Sequence, residues 1–482
     1  MVSRIYADRH LGEFALIFIG VLATLASIWM IVHGSPDLTL FTALVIPAAL
    51  MIISNPRTAL VLIILGAFSL EYLAGQKALP VMAVWTIDGL TVLLFSRMLL
   101  LKGQGTGWAR GNKVFPLLLI WAALVVLSAA NNVSSPLQII IGTRAYFRFA
   151  LLYFCLLEFE WSEKFLKTCL RLVLLLFFLQ IPVAVWQMIA GWGIDRVAGT
   201  LDSTGTISLL AVVFFAASIA YASFSKRKRV IFIGLLFLAL PVLATARAFI
   251  FIIPMVGLYL FFKLGRQQTL FQLLVILAGS AWILANWTLP GAGVLNSDLK
   301  AVDLLKNPFE FLVELQMEPV EGTTGASVGR LAGLQLAWER VAQSPQTLLF
   351  GFGPAVAQGS RFASLQSGLF ESLALSGGRA SQLARSLLEW GLLGTLAYTI
   401  IIIILWRKTE SFYRQVQEPF WKAAALGHAL LSVLMIILVT YTATWSATST
   451  AFVFWFTGGV LHRVAAVRMC EAEACSQAME ER

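Results

Sequence analysis

Residues 205–230 read GTISLLAVVFFAASIAYASFSKRKRV. From Gly205 to Ser223 there is no charged side chain, and the apolar residues fall on every side of a helix rather than on one stripe. A helix crossing a bilayer needs about 20 such residues. The run stops at Lys226-Arg-Lys-Arg229. Short basic loops of this kind are retained on the cytoplasmic side. The stretch is therefore expected to be a membrane span whose C-terminal end faces the cytoplasm.

Runs of the same kind recur on both sides of it. Spans are expected near 14–32, 38–54, 58–75, 82–101, 115–131, 144–160, 170–190, 230–245, 248–264, 269–289, 384–405, 421–440 and 446–463. The first is read as a retained signal-anchor, being too long for a signal peptide and without its cleavage pattern. The fold class is all-α, a polytopic transmembrane helical bundle of about 12–14 spans. The composition agrees: of 482 residues, 59% are hydrophobic and 12% charged, where a soluble domain carries about 25% charged residues.

With the N-terminus inside, the other basic groups also fall inside: Arg97, Lys102, Arg110 and Lys113; Lys164, Lys167 and Arg171; Lys263 and Arg266; Arg407, Lys408 and Arg414; Arg463 and Arg468. This gives N- and C-termini in the cytoplasm of a multi-pass inner-membrane protein. The chain divides into N-terminal spans over 1–289, a large external loop over 290–383, C-terminal spans over 384–463 and a tail over 464–482. The loop is expected to be partly helical, with one amphipathic helix around Leu304–Leu315 and a second over Val328–Gln343, stopped by Ser344-Pro345. Long structured loops between spans are usually functional.

The net charge of +10 is accounted for by these inner loops, and nothing accompanies it that would read nucleic acid. The four cysteines lie outside the large loop, so no disulfide staples it. The four histidines lie outside it too, which excludes a His-based triad or His-rich zinc site there. No Walker A pattern and no Asp-x-Asp pair occurs. Neither a metal nor another cofactor is expected.

Charge within a span is expensive and marks function. The outer half of this chain holds Arg144 and Arg148, four apart on one helix face; Arg196 in a short loop; Arg247 in a tight hinge; Arg330 at the start of a loop helix; and Arg379 and Arg385 at re-entry into the membrane. Arginine's planar fork binds phosphate oxygens in pairs and keeps its charge, so the set points to an anionic substrate. The alternative is that each arginine snorkels or pairs with an acid such as Asp195, Asp202 or Glu389. Asp88 and Glu389, within spans, are expected to pair with a nearby arginine rather than to relay protons.

Four segments, in order, resemble the O-antigen ligase and polymerase superfamily of bacterial surface-polysaccharide enzymes. They are Arg196-Val-Ala-Gly-Thr-Leu; Ala244-Thr-Ala-Arg-Ala; Arg330 through Pro345 to Leu349-Phe-Gly-Phe-Gly-Pro; and Leu387-Leu-Glu-Trp-Gly-Leu-Leu-Gly. The resemblance implies a fold similar to the C-type membrane glycosyltransferases. It also implies a glycan donor carried on undecaprenyl pyrophosphate, with no metal or nucleotide. It makes Arg196, Arg247, Arg330 and Arg385 the candidate pyrophosphate ligands and leaves the base open, with the loop carboxylates Glu339 and Glu371 as candidates. Ligases of the superfamily carry a His-Asn before the last segment. Here Arg379-Ala-Ser-Gln stands there, which favours a polymerase of exopolysaccharide or O-antigen repeat units. Its expected partners are the lipid-linked glycan, membrane lipid, and a chain-length regulator or export proteins. A ligase-type glycosyltransferase and a lipid-linked oligosaccharide flippase remain the alternatives.

Overall fold

A computed structural model of the chain describes residues 55–79, 81–103, 114–131, 136–192, 197–201, 203–244, 249–265, 330–357, 381–442 and 444–480. The expected spans at 14–32, 38–54 and 269–289 and the loop helix near 304–315 lie outside them. Among the described residues the secondary structure is helical throughout, with no strand.

The helices are α1 (Pro56–Gly75), α2 (Trp85–Gly103), α3 (Val114–Asn131), α4 (Pro136–Glu158), α5 (Glu163–Phe178), α6 (Gln180–Ile189), α7 (Thr204–Ser225), α8 (Arg229–Leu243), α9 (Phe249–Leu264), α10 (Arg330–Val341), α11 (Pro345–Phe350), α12 (Gln382–Gln415), α13 (Pro419–Ile437) and α14 (Thr448–Glu480). Their starts follow from local chemistry. Asn55, Ser162, Ser203, Ser344 and Ser381 each accept a first-turn backbone N–H, and Pro56, Pro345 and Pro419 stand where a missing N–H costs nothing.

Among the described residues, six stretches are long and apolar enough to cross a membrane: Pro56–Gly75, Glu163–Ile189, Thr204–Ser225, Gln382–Gln415, Pro419–Thr440 and Thr448–Met469. Large apolar side chains on the bundle's outside stay uncovered, Ile189 by 75% and Phe262 by 74%. In water such a surface would drive association; against acyl chains it is at home. The protein is a multi-pass α-helical membrane protein. The helices α2 and α4 have the length to cross but carry Asp88 and Arg97, and Arg144 and Arg148. Helix ends depart from the expected span ends because a helix does not stop at the bilayer surface. The helix α4 begins at Pro136 rather than near 144, α12 runs on to Gln415, and α14 to Glu480.

The helix α7 packs on α8 and α13, α13 on α12, and α14 on α4; α3, α10 and α11 pack on α12, and α2 joins α1 to α4. Close approach of α4 and α14 depends on Gly459, where a Cβ would stand 2.8 Å from Leu156 Cδ1. Inside the bundle, four helices meet on a polar chain: the Tyr153 hydroxyl lies 2.9 Å from His462 Nδ1, His462 Nε2 3.2 Å from Thr409 Oγ1, and Thr409 Oγ1 2.9 Å from His428 Nδ1. His428 Nε2 faces the Phe454 carbonyl at 3.0 Å and must donate to it. The Thr409 hydroxyl then donates to His428, His462 to Thr409, and Tyr153 to His462.

The two ends of the bundle differ. At one, Arg468 binds Glu163 at 2.8 Å and Glu418 at 2.9 Å, Lys167 pairs with Glu418, and Lys263 with Glu410. These are the segments assigned to the inner side by their basic loops. The other end carries the candidate site.

Candidate functional site: a helix break and an arginine–carboxylate cluster on α4

The helix α12 is broken one-third of the way along. Gly391 takes φ +64°, ψ −165°, a conformation open in practice to glycine alone. A break inside a membrane frees backbone carbonyls that need donors. Here the loop after α11 provides them. The Phe352 N–H donates to Leu388 O at 2.6 Å and the Gly353 N–H to Glu389 O at 3.2 Å, while Ser128 Oγ of α3 donates to Glu389 O at 2.7 Å. The loop can come this near only because Gly351, at φ +73°, meets Gly391 backbone to backbone; a Cβ on Gly351 would lie 2.6 Å from Gly391 N. Two of the segments singled out in the sequence, Leu349-Phe-Gly-Phe-Gly-Pro and Leu387-Leu-Glu-Trp-Gly, thus form one joint.

Behind the joint stands an aromatic wall. Trp390 packs edge-on against Trp121 at 5.0 Å and Tyr146 at 4.3 Å, and Tyr398 lies 5.0 Å from Trp121 and 4.8 Å from Trp445. The Tyr146 hydroxyl donates to Glu389 Oε2 at 3.3 Å and accepts from Gln382 Nε2 at 3.3 Å. Gln382 Oε1 in turn accepts from the backbone N–H groups of Trp445 and Ser446. The buried acid Glu389 therefore meets a tyrosine hydroxyl.

The helix α4 links this joint to a second feature. Gly142 and Tyr146 lie one turn apart and face the joint: a Cβ on Gly142 would stand 2.2 Å from Ala355 N. Arg144 and Arg148, also one turn apart, turn the other way, toward α1 and α2. Asp88 Oδ2 lies 3.7 Å from Arg144 Nη1, and Asp88 Oδ1 3.7 Å from Arg148 Nη1. Glu71 Oε1 is 3.9 Å from Arg148 Nη2, which donates to Thr448 Oγ1 at 2.5 Å, and the Thr448 hydroxyl also reaches Glu71. The Arg144 guanidinium stacks over Trp85 at 4.4 Å. Asp88 pairs with arginine, as its place in a span suggests.

A third singled-out segment lies against the same end of α1. Gly199, at φ +64°, and Thr200 are clasped by buried glutamines: Gln187 Nε2 donates to Gly199 O at 2.7 Å, the Gly199 N–H to Gln187 Oε1 at 2.9 Å, and the Thr200 N–H to Gln180 Oε1 at 2.7 Å. The Thr200 hydroxyl donates to Phe68 O, one turn before Glu71. Beside Glu71, Tyr72 stacks on Trp192 at 6.4 Å.

Of the candidate residues, Arg385 lies in the first turn of α12, one turn before Glu389, and its buried Nε has no hydrogen-bond partner among the described residues. Arg330 opens α10. Glu339 is on the exposed side of α10, where Gln335 Nε2 donates to its Oε1 at 2.9 Å. Arg196, Arg247 and Glu371 lie outside the described residues. Among the described residues no three His, Cys, Asp or Glu side chains converge as metal ligands would. Sequence reasoning passed over Glu71 and Thr448. The signal for Glu71 was an acid inside the apolar run 58–75; a lone threonine gives none.

No model of a known protein family matches the chain, and no curated protein matches it.

Proposed function

We propose that the protein is a membrane glycosyltransferase that joins repeat units carried on undecaprenyl pyrophosphate into a polysaccharide, working without metal at the periplasmic face of a bacterial inner membrane. The observation that carries the reading is the joint between Gly351-Phe-Gly-Pro and the break at Gly391. It ties the segment that starts at Arg330 to Leu387-Leu-Glu-Trp-Gly-Leu-Leu-Gly, which follows Arg385 in α12, two of the four segments resembling the superfamily, and a third is clasped against α1 at Gly199-Thr200. In this reading Arg196, Arg247, Arg330 and Arg385 neutralise the leaving pyrophosphate as its charge develops, which a preorganised arginine does without a metal. A carboxylate takes the acceptor hydroxyl's proton, with Glu339 and Glu371 as the loop candidates.

The test is an assay of the purified full chain with lipid-pyrophosphate-linked repeat units, reading product length on a gel. Wild type gives a ladder, and Arg247→Ala abolishes it while inserting and purifying normally. A ladder of normal length from Arg247→Ala removes that residue from the mechanism. Movement of labelled lipid across a liposome membrane without coupling replaces the enzyme with a flippase.

A further inference from the structure

The end of the bundle that carries Arg468 also carries cations that no carboxylate holds. Arg468 and Lys167 take up Glu163 and Glu418, and Lys263 and Arg414 share Glu410. Among the described residues, Arg171, Lys422 and the exposed run Lys226-Arg-Lys-Arg229 have no such partner. Aromatic rings place two of them instead. The Arg171 guanidinium lies 5.7 Å from the Phe420 ring centroid, and the Lys422 ammonium 5.4 Å from that of Phe224 and 5.6 Å from that of Tyr413. A ring face steadies a cation and leaves its N–H donors open to an anion. Phe420 and Lys422 are in the first turn of α13, Arg171 is on α5, and Phe224 stands two residues before the run. The six cations therefore border one surface, drawn from α5, α13 and the turn between α7 and α8. Deeper along the same helices the surface is apolar. Phe178 of α5 meets Phe237 of α8 at 6.2 Å, so α5 and α8 are neighbours. On α5, Leu175 and Leu179 follow Arg171 at one-turn steps and are 53% and 47% exposed; on α8, Phe232 follows Arg229 by three residues and is 66% exposed. At 1.5 Å per residue, Arg171 to Leu179 spans about 12 Å. Charge gives way to hydrocarbon contact over the interval in which a phospholipid passes from headgroup to acyl chains.

We propose that this face of α5, α7, α8 and α13 docks an anionic phospholipid of the adjoining leaflet, its headgroup among Arg171, Lys422 and Lys226-Arg-Lys-Arg229 and its acyl chains along Leu175, Leu179 and Phe232. Charge complementarity sets the class of headgroup. Six cations with no carboxylate among them attract a lipid of net negative charge and offer nothing to the ammonium of a zwitterionic one. Basic loops that only fix topology need charge but no particular placement. Here Arg171 and Lys422 are each placed on a ring from another helix, as a defined site requires. The face lies at the opposite end of the bundle from the helix break and takes no part in glycan transfer, so the two readings stand or fall separately.

The experiment is native mass spectrometry of the purified full chain in detergent, titrated with dioleoyl phosphatidylglycerol and separately with dioleoyl phosphatidylcholine. The two share acyl chains and differ in headgroup charge. Wild type binds the first phosphatidylglycerol at least about tenfold more tightly, since each cation near an anionic headgroup contributes about fivefold. Arg171→Gln and Lys422→Gln each lower the phosphatidylglycerol affinity by about fivefold, and Arg171→Lys, which keeps the charge, retains most of it. Arg414→Gln is the control. It removes one charge from the same end, exposed and paired with Glu410 on its own helix, and leaves the preference as in wild type. A diffuse surface potential without a site would lose as much from Arg414→Gln as from Arg171→Gln. The run at 226–229 is left intact, so topology is unchanged. If Lys422→Gln does not fold, Arg171→Gln and Arg414→Gln carry the test. The proposal is overturned if wild type binds the two lipids alike, if Arg171→Gln binds phosphatidylglycerol as wild type does, or if Arg414→Gln costs as much as Arg171→Gln.

Discussion

Replacing Gly391 by alanine tests the joint directly. The residue stands at φ +64°, ψ −165°, and holding a non-glycine residue there costs about 1–3 kcal/mol. Sterics come on top: a Cβ would sit 2.5 Å from Leu349 C, Leu349 O and Phe350 N. These are backbone atoms, which cannot rotate aside as a side chain would. Relief requires the Leu349–Gly353 arm to back away, which opens the 2.6 Å bond to Leu388 O and the 3.2 Å bond to Glu389 O. Glu389 O keeps Ser128 Oγ at 2.7 Å, so one buried carbonyl is orphaned, at about 1–3 kcal/mol. The sum is about 4 kcal/mol, a large share of the 5–15 kcal/mol typical of a folded domain. Gly351→Ala meets the same obstacle from the other side, with Gly391 N at 2.6 Å. Once either substitution has undocked the arm, the second has little left to break. The double variant should therefore cost about 2 kcal/mol less than the sum of the singles. Unfolding of the purified protein in mixed micelles measures all three, with Gly89→Ala as control. Gly89 is an exposed helical glycine with nothing within 4 Å of an added Cβ, so alanine there is neutral or slightly stabilising. If Gly391→Ala unfolds with Gly89→Ala, or if the two joint substitutions add in full, the joint is not what holds the loop.

The polar chain through Thr409 predicts a difference between two small substitutions. Thr409→Val removes the donor to His428 and the acceptor of His462 and should cost about 1–3 kcal/mol, whereas Thr409→Ser keeps the hydroxyl and most of the stability; equal midpoints for the two would dismiss the chain as a stabilising feature. Gln187→Leu deletes both bonds that clasp Gly199, an expected loss of about 2 kcal/mol in the same unfolding assay. Gln180→Leu, which loses two bonds to Thr200, should fall by a similar amount, and a wild-type midpoint for both would show that the Gly199-Thr200 turn is held by something else.

The membrane bundle is legible in residues 205–230 because lipid contact imposes one simple demand, about 20 uncharged residues in a row, and a run such as α7 meets it without reference to any partner. Where helices outlast that demand, legibility ends: α12 and α14 run 34 and 33 residues, and nothing apolar marks the overrun. The second loop helix was legible for a different reason. Its stop, Ser344-Pro345, is local chemistry, and α10 ends at Val341 just before it. The break at Gly391 was not legible as a break, since glycine is ordinary in membrane helices. Its partner is Gly351, 40 positions upstream in sequence, packed so close that a Cβ on it would lie 2.6 Å from Gly391 N. The same distinction runs through the charges. Arg144 and Arg148 announce themselves by their spacing and Asp88 by its place in a span. Their pairing needs the packing of α2 against α4, and Glu71's share in it that of α1 and α14.

The helix α4 explains why these features belong together. Its residues at 142 and 146 support the docked loop and the aromatic wall, and those at 144 and 148, on the opposite face, hold the ion cluster. A helix has no freedom to satisfy one face independently of the other: a rotation that relieved Gly142 against Ala355 would swing Arg148 off Thr448 and Asp88. The charge cluster and the loop joint are therefore positioned by one rigid element. The helix that holds Arg144 and Arg148 in their ion cluster is thus the one that carries Tyr146 and, through its hydroxyl, reaches Glu389 beside the break in α12.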